Sequence, residues 1–122
     1  FYAYQFLNRL GDEELKSNDT DNWTTRTKNG VQVLFWNYSP TKTAESNQVF
    51  YKKDLPAKDI GNANIQISEL PKGTYQLKVY QVGYQVNDVY TDFLKMGSPR
   101  SLKREQVKEL AQRNDGKPIE TS

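Results

Sequence analysis

Carboxylates, lysines and tyrosines are the only groups this 122-residue chain has for acid–base chemistry, because it contains no histidine and no cysteine. Ser-His-Asp triads, zinc-protease motifs and histidine general bases all need an imidazole titrating near neutrality, so they are excluded. Without cysteine there is no thiolate nucleophile, thiolate zinc site or disulfide. Glu13 and Glu14 form a carboxylate pair, but only by adjacency. Neighbours in sequence do not face each other across a substrate, so the pair reads as solvent-facing. No phosphate-binding glycine loop or metal-ligand cluster occurs either, and independent catalysis has no residues to rest on. No catalytic, metal or cofactor-binding residue is expected, and no cofactor.

Aromatic rings offer a different chemistry. The chain has eight Tyr, five Phe and two Trp. Sugars lay their apolar faces on such rings, and Trp23, Trp36, Tyr38, Tyr84 and Tyr90 are the candidates for a sugar platform or for an interface. Trp36 and Tyr84 sit in apolar strand patterns, where packing accounts for them. Trp23 is the most ambiguous of them: it lies between Asn22 and Thr24, in a polar stretch that leaves both packing and exposure open. Asn87-Asp88 is the other polar feature beside aromatic residues, and Asp88 reads as a helix N-cap.

The composition sets the frame for these groups. The net charge is +2 and the mean hydropathy −0.89. Lys52-Lys53 and the group Arg100, Lys103, Arg104 and Lys108 are the basic clusters, the second interleaved with Glu105 and Glu109. With no basic stripe carrying stacking aromatics, this is a solvated helix face and no nucleic acid is expected as a partner. No window approaches the roughly 18–20 apolar residues of a helical span, so no membrane partner is expected. No basic segment precedes an apolar run, although a chain starting at Phe1 is open to a lost leader. The length suits one domain with one core.

The elements that must position these residues are mostly short strands. Phe1–Leu10 reads as an aromatic helix ended by Gly11, apolar on more than one face, and too short to stand without a covering partner. Asn22–Thr27 is an expected edge strand. Asn29-Gly30 is a hairpin signal joining it to Val31–Tyr38, whose alternate residues are apolar on both sides and which is therefore expected to be central. A polar loop, Ser39–Asn47, leads to an extended segment around Val49–Leu55. Asn64–Ser68 alternates, with Ile65 and Ile67 facing in. Leu70-Pro71-Lys72-Gly73 supplies a turn, and the return strand places Tyr75, Leu77 and Val79 inward. Asp88 caps a helix over Val89–Met96, stopped by Gly97 and Pro99. Leu102, Gln106, Val107, Leu110 and Ala111 mark a second helix, ended by Asn114-Asp115-Gly116. Lys117–Ser122 reads as the start of another strand. The predicted fold class is mainly β: an antiparallel β-sandwich with a short N-terminal helix and a two-helix C-terminal appendage. Sequons at Asn18, Asn22 and Asn37 are read as incidental.

In these segments the chain resembles the C-terminal part of bacterial β-xylosidases of glycoside hydrolase family 39. The most specific block is Tyr80-Gln81-Val82-Gly83-Tyr84, Asn87-Asp88, Tyr90, Met96-Gly97-Ser98-Pro99, Leu102 and Glu105-Gln106-Val107. Val31–Tyr38 is similar to the family's central sandwich strand, and Leu70–Tyr75 to its hairpin. Phe1–Gly11 is similar to the last helix of its TIM barrel. Where the family often has Thr-Pro before the Glu-Gln pair, this chain has Lys103-Arg104. The resemblance implies residues 1–11 as a remnant of the barrel helix and 12–122 as a β-sandwich accessory domain, with the helical appendage at about 88–113. Relatives continue into a closing strand beyond the position of Ser122.

The family releases xylose from xylo-oligosaccharides with retention, using an acid/base Glu in an Asn-Glu-Pro motif and a nucleophilic Glu. No Asn-Glu-Pro occurs here, so no catalytic residue is carried over. The expected role is therefore a non-catalytic accessory domain whose partner is the family's own TIM barrel. The alternative is a carbohydrate-binding module for a xylo-oligosaccharide. Self-association through an uncovered apolar patch is a further expectation. Asn87-Asp88 beside the barrel's active-site mouth is the functional alternative to Asp88 as a plain cap.

Overall fold

The structure, a computed structural model, describes residues 1–37 and 58–122. Tyr38, the loop at Ser39–Asn47, the segment around Val49–Leu55 and Lys52-Lys53 lie outside the described residues. The chain divides into two compact units, residues 1–42 and 43–122.

The first unit opens with helix α1, Tyr2–Leu7. It ends earlier than Gly11, at Asn8, which keeps right-handed helical angles. Tyr2 and Phe6, four residues apart, bring their rings together at a tilt of 35°, with centroids 6.5 Å apart. Phe1, Tyr4 and Leu7, spaced by three, form an exposed stripe, with Phe1 86% and Tyr4 79% exposed. A six-residue helix has no stability of its own, so side-chain packing must hold it.

A three-stranded antiparallel sheet follows, in the order β1 (Glu13–Leu15), β2 (Asn22–Thr27), β3 (Gly30–Phe35). The expected hairpin forms, but one residue early. Thr27 pairs with Gly30, so Lys28 and Asn29 make the loop and Gly30 opens β3. The Thr27 hydroxyl accepts from the Asn29 N–H at 3.3 Å, a side-chain turn that competes with the Asn-Gly geometry. Gly30 has a φ of 156°, which glycine tolerates because it lacks a Cβ.

The expected edge and centre are exchanged. Among the described residues β2 lies in the middle and β3 at an edge, with Phe35 half exposed. Alternation sets the faces but cannot say how many strands flank each one. A chain of hydrogen bonds ties the sheet to the segment before it. The Gly11 N–H donates to Thr25 Oγ1 at 2.7 Å, and the buried Thr25 hydroxyl donates to Gln32 Oε1 at 3.2 Å. Gln32 Nε2 in turn donates to Thr27 Oγ1 and the Gly30 carbonyl. Across β1 and β2, Glu13 and Arg26 form an exposed ion pair. The hydrogen bond and charge of Glu13 raise the Arg26 guanidinium above its already high value.

In the second unit the regular strands are fewer than the sequence predicts. Residues 58–68 form none, and Ile65 and Ile67 are exposed rather than inward. Pro71 to Gly73 bends as expected, and the Tyr75 hydroxyl folds back to donate to the Pro71 carbonyl at 2.6 Å. Of the long return strand only β4, Leu77–Val79, is regular. It pairs antiparallel with β5, Ile119–Thr121, where the sequence ended in a partial strand. Beside β5, Lys117 donates to Asp115 through side chain and backbone and holds its carboxyl below the usual range.

The helices match the sequence more closely. α2, Val89–Lys95, begins at Asp88, whose carboxylate accepts from the Tyr90 and Thr91 N–H groups and from the Thr91 hydroxyl. Its far end is a Schellman closure: the Gly97 N–H donates to the Leu94 carbonyl and Ser98 to that of Phe93, with Gly97 at φ 85°. α3, Arg104–Arg113, has Lys103 at its N-cap. A lysine side chain has no acceptor, so only half of a capping box is available: Gln106 Oε1 accepts from the Lys103 N–H at 2.9 Å. Leu110 on this helix is the buried apolar residue among those described. Asn114 joins the two helices, donating to the Leu110 carbonyl and to Asp92, each at 2.9 Å. The described residues are thus mainly β with antiparallel sheets and a few helices. Among the described residues two small sheets are present, one in each unit.

The turn before α2 stores strain. Gly83 and Val86 exchange backbone hydrogen bonds, with Gln85 at φ 61° and Asn87 at φ 50°. Left-handed angles cost an ordinary residue about 1–2 kcal/mol. Asn87 offsets that cost by donating to the Gln81 carbonyl at 2.8 Å and accepting from the Gly116 N–H at 3.1 Å. The Gln85 side chain makes no comparable tie among the described residues. Gln85→Gly is therefore expected to raise thermal stability by up to about 1 kcal/mol. Asn87→Gly, which relaxes the same kind of angle but removes both ties, should lower it. Paired thermal melts of the two variants check this.

Candidate functional site

Trp23 and Trp36 are the predicted site residues that the structure brings together. Within β2, Trp23 shares a face with Thr25, and its cross-strand partner is Leu34. Trp36 follows β3 and falls on the same face as Leu34, two residues before it. Its backbone is fixed there, the Trp36 N–H donating to the Asp21 carbonyl at 3.1 Å. The indoles meet edge to face, with centroids 6.0 Å apart and planes at 78°. Trp23 is 48% and Trp36 43% exposed. Trp23, whose exposure the sequence left open, is half exposed, and Trp36 is far less covered than its strand pattern implies.

Beside Trp23 lies an open depression of about 360 Å³, lined by residues 14–17, Asp19 and residues 22–24. Its rim is held by local hydrogen bonds. The Asp19 N–H donates to Ser17 Oγ, Asp21 N–H to Asp19 Oδ1, and Asn22 Nδ2 to the Asp19 carbonyl, at 3.1–3.2 Å. The Thr24 hydroxyl donates to Asn22 Oδ1 at 3.2 Å. Glu14, Lys16, Ser17 and Asp19 are exposed. The arrangement sets the Trp23 indole, with Trp36 packed against it, beside hydroxyl, amide and carboxylate groups. It offers stacking and hydrogen bonding, and no nucleophile paired with a base.

Tyr84 and Tyr90 belong to the second unit. Tyr84 sits at the tip of the Gly83–Val86 turn, at the edge of exposure. Tyr90 stacks on Phe93 with centroids 6.4 Å apart, and its hydroxyl is buried with no hydrogen-bond partner among the described residues. Tyr38 lies outside the described residues. Sequence reasoning missed the Ser17–Asp21 rim. Its signal was the run of Ser, Asn, Asp and Thr just before Trp23, which favours side-chain-to-backbone turns.

No family-level sequence profile and no curated protein matches the chain. Solved structures do. A monomeric β-xylosidase from Caulobacter crescentus CB15 is 31% identical with a TM-score of 0.91, the match covering 98% of this chain and 24% of that one. The family 39 glycoside hydrolase from Xanthomonas axonopodis pv. citri is 30% identical with a TM-score of 0.90, over the same shares of each chain. In sequence and fold the chain is similar to part of a family 39 glycoside hydrolase. A further family 39 β-xylosidase from Caulobacter crescentus, at 24% identity and a TM-score of 0.66, agrees in fold alone. The chain spans about a quarter of the length of these family 39 structures.

Proposed function

We propose that this chain is the non-catalytic, C-terminal accessory portion of a retaining β-xylosidase-like glycoside hydrolase. In this reading residues 1–11 carry the last helix of the catalytic barrel, and residues 12–122 form a sandwich-type domain that packs against it. The parent enzyme hydrolyses xylo-oligosaccharides in this reading, which is supported by two of the related structures being named β-xylosidases. The observation that carries the reading is the Phe1, Tyr4 and Leu7 stripe of α1. It is apolar, contiguous at helical spacing and exposed, although the opposite face of the same helix is already partly covered by Tyr2 and Phe6. A short helix apolar on two sides needs a second partner.

The test is dye binding by the 122-residue chain. An anilinonaphthalene sulfonate dye should fluoresce on it, and the double variant Phe1→Ser with Tyr4→Ser should lose most of that emission at an unchanged melting temperature. The chain should leave a chromogenic xyloside intact. A monomer with no dye-binding surface would sink the packing role, and turnover of the xyloside would sink the non-catalytic one.

A further inference from the structure

We infer that the Trp23–Trp36 pair and the depression beside it form a saccharide-binding surface, taking a β-linked pentose oligosaccharide of the xylan type. The pentose assignment rests on the function proposed above; the saccharide assignment rests on the surface itself.

The ligand must suit both halves of the site. A sugar ring has apolar C–H faces and a rim of hydroxyls, and the surface offers the Trp23 indole, with Trp36 against it, beside Ser17, Asp19, Asn22 and Glu14. With the planes at 78°, both indoles cannot lie flat on one ring. Trp23, which lines the depression, stacks on the sugar, and Trp36 braces the Trp23 ring from outside the depression. A volume of about 360 Å³ falls at the small end of ligand sites, which run from about 300 to 1,000 Å³. The site is open, so binding should be weak.

A protein partner fits less well. Interface cores are depleted of Glu, Asp and Lys, and covering Glu14, Lys16 and Asp19 would strip water from three charges. A sugar replaces that water with its own hydroxyls and leaves the rim wet. The rim is also preorganised. Its hydrogen bonds fix Asp19 through one carboxylate oxygen, Oδ1, and leave Oδ2 and the Ser17 hydroxyl proton for a ligand. Little conformational entropy remains to be lost on binding.

The experiment uses the two tryptophans as separate reporters, since the chain has only two. Xylohexaose is titrated into the ¹⁵N-labelled chain and both indole N–H resonances are followed, with cellohexaose run in parallel. Saturable shifts of both indole signals, with a Kd of about 0.1–1 mM, are expected. Trp23→Ala should weaken binding roughly tenfold or more, Trp23→Phe less, and Asp19→Ala measurably without touching the sheet. Indole signals that stay still at saturating sugar overturn the proposal. So do signals that move only with rising chain concentration, which would mark a protein interface. A response to cellohexaose alone overturns the pentose assignment. The dye experiment above decides the accessory role independently.

Discussion

Gly11→Ala should lower the stability of the first unit by about 3 kcal/mol, at the upper end of what overpacking costs. A Cβ at Gly11 would lie 2.4 Å from the Arg26 carbonyl oxygen, 2.7 Å from its carbon and 2.9 Å from Gln32 Oε1. The first two atoms are backbone of β2, paired on one side with Glu13 and on the other with Val31. Moving them means disturbing both ladders. Moving Gly11 instead breaks its bond to Thr25, and with it the head of the chain running to Gln32 and Gly30. At Gly73, in the second unit, a Cβ meets nothing closer than the Tyr75 ring at 4.0 Å, so Gly73→Ala should leave the thermal melt of that unit unchanged. Both tryptophans lie in the first unit, so urea unfolding followed by their fluorescence reads the Gly11→Ala loss directly. Equal midpoints for Gly11→Ala and the unsubstituted chain would show that the close approach is not as tight as described.

Asp88→Ala should cost about 2–3 kcal/mol in the second unit. Part is the loss of an N-cap, typically about 1 kcal/mol. The rest is the hydrogen bond from the Thr91 hydroxyl, 2.7 Å from the carboxylate on a residue only 2% exposed. Bonds to a charged partner contribute about 1.5–3 kcal/mol. The carboxylate also accepts from the Gln85 N–H at 3.4 Å, so the strained turn loses a support. Asp88→Asn keeps an acceptor for the helix N–H groups and should cost clearly less. Tryptophan fluorescence does not report this unit. Amide exchange at Tyr90 and Thr91 does, and it should accelerate in Asp88→Ala before the amides of α3 follow. Unchanged exchange at those amides would remove Asp88 from its capping role.

How far the sequence led can be judged residue by residue. The Asp88 cap, the Gly97 stop and the Asn22–Phe35 hairpin were legible because each depends on short-range chemistry. Gly11 was legible as a glycine but not for the right reason. It reads as a helix terminator, and in the structure it is a spacer against Arg26, a contact made with a residue 15 positions away. The alternation of Asn64–Ser68 suggested a strand, but alternation describes which side chains share a face, and a strand also needs a neighbour to bond to. The same distinction moved β3 from the centre to an edge among the described residues. At the candidate site, Trp23 stood out by its polar neighbours. Its contact with Trp36 follows only from the register of the hairpin, which one turn residue decides.

The pairing of β4 with β5 also has a meaning in time. Val79 finds its partner Ile119 only after about 40 further residues have been made. At translation rates of ~5–20 residues per second, β4 waits about 2–8 s for β5, its strand partner among the described residues. During that interval α2 and α3, whose bonds are local, can already form. An unpaired strand is prone to bond with the wrong chain, and a charge at its centre discourages that. Lys78 occupies that centre, between Leu77 and Val79, and its eventual partner is Glu120, with 3.0 Å between the charged groups. The same side chain thus guards the nascent strand against other chains and then closes it onto its own.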